Sequence, residues 1–115
     1  MLSIYQGNDK IFTFTRTDVN GNVITTEPQQ IWFTVKKDYN SLGWVIRKTL
    51  HQGIEQNSDG SWNIRIDAID TENIKSGKYV CDVKIRDEDG REITIVKPQD
   101  FAVVDVATTR NNQGG

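Results

Sequence analysis

Apolar side chains in this chain recur almost everywhere at every second position, which restricts it to strands with one buried and one solvated face. Ile31, Phe33 and Val35 share one side of the segment Gln30 to Lys37, and Trp62, Ile64 and Ile66 alternate with Asn63, Arg65 and Asp67. The strongest set is Tyr79, Cys81, Val83 and Ile85, opposite to Asp82, Lys84 and Arg86, and it predicts a central strand. Helical character is confined to Ala68 to Lys75. There Asp70 and Thr71 can cap one turn, Ile69 and Ile74 can pack inward, and Gly77 ends the run before Tyr79.

Turn residues punctuate the remainder. Ile11 to Arg16 predicts a strand, and Asp18-Val19-Asn20-Gly21-Asn22 a hairpin returning through Val23 to Thr25, with Asn-Gly supplying the positive φ angles. The loop Asp38 to Gly43 leads to a strand from Trp44 to Leu50. Asp87-Glu88-Asp89-Gly90-Arg91 closes a second hairpin onto Glu92 to Lys97, and Phe101 to Val106 ends the fold. Seven or eight short strands with no internal repeat predict an all-β, immunoglobulin-like Greek-key β-sandwich over residues 1–107, with a closed barrel as its competitor. Residues 108–115, polar and ending in glycine, predict a flexible tail. A chain of 115 residues can bury about two thirds of its unfolded surface, so this domain needs no disulfide.

Charge and chemistry exclude more than they assign. Fourteen basic and 16 acidic side chains are spread along the chain for a net charge of −2, and no basic stripe follows a phosphate backbone; nucleic acid is not an expected partner. The start, Met1 to Tyr5 followed by Gln6-Gly7-Asn8-Asp9, is too short and too polar for a signal peptide or a membrane span, which predicts synthesis in a cytoplasm. The single cysteine, Cys81, has no disulfide partner and no basic neighbour, and reads as a buried thiol. The single histidine, His51, lacks a second ligand at zinc or triad spacing and reads as a solvated strand end.

Carboxylates gather in turns. Asp18 to Asn22 and Asp87 to Glu92 resemble the oxygen-rich start of a calcium loop, but neither carries the spaced terminal glutamate, and hairpins want the same residues for backbone reasons. Asp67 and Asp70 could form an acid–base pair, yet alternation turns Asp67 outward and Asp70 reads as a cap. No cofactor, no metal and no catalysis are expected.

The aromatic residues carry the functional expectation, because exposed Trp and Tyr are rigid platforms for protein ridges or sugars. Trp62 is in phase with Ile64 and Ile66 and belongs to the core. Trp32 is out of phase with its neighbours and faces outward. Trp44, if it shares a face with Ile46, would be the core tryptophan of an immunoglobulin-type third strand; Tyr39 lies in the loop before it. Trp32, Tyr39 and Trp44 are the candidate interaction surface, for a protein partner or, alternatively, a carbohydrate.

Asp70-Thr71 followed by Gly77-Lys78-Tyr79-Val80-Cys81 resembles the corner before strand F of immunoglobulin-like domains, where a Tyr hydroxyl ties back to upstream backbone. Taken with Gly7-Asn8-Asp9, Asp18 to Asn22, Asp82 to Gly90, Phe101 to Val106 and Thr108-Thr109-Arg110, most of residues 4–110 resembles the small Ig-like domains of phage and prophage tails. These include the N-terminal domain of baseplate upper proteins. The resemblance implies a virion component, made in the host cytoplasm, that docks on other tail or baseplate proteins or on further copies of itself, and it implies no catalytic residue.

Overall fold

The central strand expected around Tyr79 to Ile85 is the backbone of the domain in the computed structural model, which describes residues 2–106. β1 (Leu2–Tyr5), β2 (Lys10–Phe14), β3 (Gln30–Lys36), β4 (Ile46–Leu50), β5 (Gly53–Gln56) and β6 (Trp62–Ile66) precede a single helical turn, α1 (Ala68–Thr71). β7 (Gly77–Arg86) and β8 (Glu92–Val104) follow it. The hydrogen-bonded order is β1-β8-β7-β3-β4-β5-β6-β2. β7 runs antiparallel to both neighbours, pairing Val83 with Phe33 and Ile85 with Ile31 on one side and Ile85 with Ile93 on the other.

The ladder folds over between β4 and β5, which share only the parallel pairs Thr49–Gly53 and Leu50–Ile54. That corner is tight. His51 adopts φ 65° and Gly53 φ 102°, and the His51 N–H donates to the Ile54 carbonyl at 2.9 Å. A Cβ on Gly53 would lie 2.7 Å from Lys48 Cδ, so any other residue there would strain the backbone and displace the Lys48 side chain. Folding there stacks a five-stranded layer, β1-β8-β7-β3-β4, on a three-stranded layer, β5-β6-β2, in the connectivity of an immunoglobulin-like Greek-key sandwich. β1 and β2 remain its two edges, so the barrel alternative does not describe it.

Alternating side chains fill the space between the layers. Ile31, Phe33 and Val35 of β3, Cys81, Val83 and Ile85 of β7, and Phe101 and Val103 of β8 meet Ile54, Trp62, Ile64 and Ile66 from the second layer. Phe12 on β2 crosses the gap to both Phe33 and Phe101, with ring centroids 6.5 and 6.0 Å away and an edge-on approach to Phe101. Such a tilted aromatic trio adds to its buried area the favourable edge-to-face term of offset rings.

Several sequence expectations meet a different local outcome. Val23 to Thr25 is no strand: pairing there is the single bridge Thr17–Val23, after which Arg16, itself buried, donates to the Thr26 carbonyl at 3.1 Å and to Glu88 at the same distance. Glu92 to Lys97 and Phe101 to Val104 are one strand, which ends before Asp105 and Val106. β8 runs through Pro98 because the register slips between Cys81–Gln99 and Val83–Val96, a bulge that spares the missing N–H. β1 pairs in parallel with the end of β8, Leu2 with Phe101 through Tyr5 with Val104. The helical turn is capped by Asp67, whose N–H is taken by Asp70 Oδ2 at 2.7 Å. The expected tail, 108–115, lies outside the described residues, as do Thr108, Thr109 and Arg110 of the resemblance.

Candidate functional site

β3 alternates through the sheet, so Trp32, Thr34 and Lys36 lie on the outer face of the five-stranded layer, where Thr34 is itself buried between its neighbours. Register decides what stands beside them. Trp32 is flanked by Thr49 on β4 and Lys84 on β7, and Thr34 by Arg47 and Asp82. Diagonally across from Trp32, the Arg86 guanidinium carbon sits 5.5 Å from the indole centroid, a cation–π pair that covers one face of the ring.

Trp44 does not enter the core. Antiparallel pairing starts only at Ile46, opposite Val35, and the chain ahead of it is splayed in the β3–β4 connection, so Trp44 is 53% exposed. The buried indole of this sandwich is Trp62, on β6, at 0%. Trp44 instead lies under Arg47, whose guanidinium carbon is 5.6 Å from its ring. Arg47 joins the two tryptophans, because it lines with Trp32, Thr34, Lys36, Asp82, Lys84 and Glu92 an open groove of about 390 Å³. Tyr39, in the same connection as Trp44, borders an adjoining hollow of about 180 Å³ that shares Thr34, Lys36 and Asp82 with the groove. Trp32, Tyr39 and Trp44 thus lie along one continuous surface.

Its electrostatics are uneven. Glu92 holds Lys84 and Arg86, each at 2.9 Å, and those two cations, Lys84 first, keep its carboxyl below the usual carboxylate range. Lys36 and Arg47 have no carboxylate partner among the described residues. Sequence reasoning placed Lys84 and Arg86 on an outer face, but nothing in it indicated Arg47, Lys36 and Glu92, because their membership depends on cross-strand register.

Elsewhere the chemically able groups are committed to structure. His51 is hydrogen-bonded on both ring nitrogens, to Glu27 at 2.8 Å and Glu55 at 3.1 Å. Asp70 takes the Asp67 N–H and the Lys48 ammonium, the latter at 2.7 Å, so the Asp67–Asp70 pair is a cap with an ion pair. Asp18 and Asp87 each accept two main-chain N–H bonds within their own turns, the geometry of turn chemistry. Those bonds, Asn22 first and then Asn20, hold the Asp18 carboxyl below its ordinary range. Among the described residues no group of three or more His, Cys, Asp or Glu is placed to hold a metal ion, and no helix is long and apolar enough to cross a membrane.

The sequence matches no protein-family model and no curated protein. Among solved structures the chain is similar to CopC from Methylosinus trichosporium OB3b, with a TM-score of 0.51 and 13% identity over 93% of this chain and 86% of that one. At that identity the likeness concerns the architecture alone, a β-sandwich shared over nearly the whole chain.

Proposed function

We propose that this chain works without catalysis, as a structural component of a phage or prophage tail or baseplate, assembling with other tail proteins through the outer face of the five-stranded layer. One observation carries the assembly reading: Trp32 and Trp44 each lie beneath an arginine on a shallow, open surface. Trp and Arg are the residues that most often dominate protein interfaces, and a flat face of about this chemistry buries well against another protein. The tail setting, and with it a place in the virion after synthesis in the host cytoplasm, rests on the resemblance of the turn and core positions.

The test is incorporation into particles. Purified tails of the phage or prophage encoding this chain are expected to contain it, and Trp44→Ala or Trp32→Ala should abolish incorporation while leaving the unfolding midpoint nearly unchanged. Tails that lack the chain, or that take up the aromatic variants as well as the parent, would overturn the reading.

A carbohydrate-binding or host-adhesion role is the alternative, favoured by the exposed rings of Trp44 and Tyr39 beside the polar groups Thr34 and Asp82. Titration with host cell-wall glycans separates the two. Sugar-dependent tryptophan fluorescence supports adhesion, and a flat titration removes it.

A further inference from the structure

We propose that the partner seated on this face is a second copy of the same chain, which presents the acidic turn between β7 and β8, Asp87-Glu88-Asp89, to the cations Lys36 and Arg47. The inference rests on the reading of the face as an assembly surface and names its occupant.

Charge complementarity carries it. The groove and its rim hold four cations, Lys36, Arg47, Lys84 and Arg86, against two carboxylates, Asp82 and Glu92, which leaves this face two charges positive. The whole chain has a formal net charge of −2, so everything outside the face is net negative by four. The face therefore attracts the remainder of its own kind. Within the face, Lys84 and Arg86 share the Glu92 carboxylate, and it is Lys36 and Arg47 that remain open to a carboxylate from outside.

The acidic turn is suited to supply one. It is held in a single shape: Asp87 Oδ1 accepts the N–H groups of Asp89 and Arg91, each at 2.9 Å, and the Gly90 N–H donates to the Asp87 carbonyl at 3.0 Å. Buried Arg16 grips Glu88 from below at 3.1 Å, and Gln29 donates to the Glu88 carbonyl at 3.3 Å. A turn fixed in this way loses little conformational freedom on docking. Asp89 is the free member, exposed and with no hydrogen bond or ion pair to its carboxylate among the described residues. Because the guanidinium groups of Arg47 and Arg86 each cover one face of an indole, the surface presents N–H donors beside the rings, and planar donors suit a carboxylate better than a sugar ring does.

Sedimentation of the full chain at tens of micromolar tests the proposal. Self-association is expected at low salt and should weaken in about 1 M salt, where screening acts within about 3 Å. Arg47→Glu and Asp89→Lys, both at exposed positions, should each weaken association about tenfold, and the double variant Arg47→Glu/Asp89→Lys should recover it. Lys36→Glu serves as a second probe of the face should Arg47→Glu alter the unfolding midpoint. A chain that stays monomeric at low salt, or associates regardless of the charge reversals, or is not rescued by the double variant, overturns the proposal. In that event loss of tail incorporation by Trp44→Ala would still uphold the assembly reading, so the two fail separately.

Discussion

The Tyr79 hydroxyl donates a 2.6 Å hydrogen bond to the Lys75 carbonyl, fastening the start of β7 to the connection that leaves α1. This is the tie-back that the Asp70-Thr71…Gly77-Lys78-Tyr79 sequence predicts for an immunoglobulin-like corner, and it exists here without the disulfide, since Cys81 is a free buried thiol. Tyr79→Phe should cost about 1 kcal/mol, read as a lower urea midpoint with an unchanged slope. Burial raises the phenol above its ordinary value. Its contribution is therefore complete below the ordinary tyrosine range and is lost as pH rises through the raised folded value. Tyr79→Phe should flatten the alkaline arm of the stability profile.

Trp62 fills the centre of the second layer with no exposed surface, and its indole nitrogen has no partner among the described residues. Trp62→Ala should cost about 3–5 kcal/mol through the cavity it leaves. Trp62→Phe should cost clearly less, because it surrenders volume but also removes an unsatisfied buried donor. Equal losses in the two variants, measured by chemical denaturation, would contradict this account.

His51 should titrate above the ordinary histidine value, raised first by the hydrogen bond to Glu55 and then by that to Glu27. The stabilisation is therefore complete below the ordinary histidine pKa and fades as pH rises through the raised folded value. An NMR titration of the imidazole reads this directly, and Glu55→Gln should move the midpoint down. A His51 midpoint at or below the ordinary value would show that the two carboxylates do not hold the ring.

Cys81 lies inside the sandwich, where burial first and the neighbouring Asp82 charge second push its thiol up to about 11. A disulfide reagent at pH 8 should leave it unmodified in the folded chain and label it promptly once denaturant is added. Fast labelling of native protein would require the sheet between β3 and β8 to open.

Much of the fold was legible because its signals are local. Alternation in β3, β6 and β7 depends on residues two apart, and the Asp-Gly turn at Asp87 to Gly90 is made by side chains that bond their own backbone. The outward phase of Trp32 and the inward phase of Trp62 were readable for the same reason. β5 was not, since Gly53-Ile54-Glu55-Gln56 carries one apolar residue and no pattern to count. Trp44 was ambiguous because its phase with Ile46 has meaning only if the strand extends that far, and pairing with β3 stops at Ile46.

By itself the sequence determined the strand segments of β2, β3, β4, β6 and β7, the inward faces of β3, β6 and β7, the Asp-Gly turn after β7 and the absence of an internal disulfide from a one-cysteine chain. Only the tertiary structure decided the parallel seat of β1 on β8, the fold-over at His51 to Gly53, and the neighbours of each outward side chain. The physical reason is that periodicity reports which way a residue points, whereas cross-strand register reports what it points beside. Register is settled by loop closure and core packing between segments far apart in the chain. Trp32 could be seen to face outward from its own strand; that Arg86 covers it and Arg47 links it to Trp44 was settled by the pairing of β3 with β7 and β4.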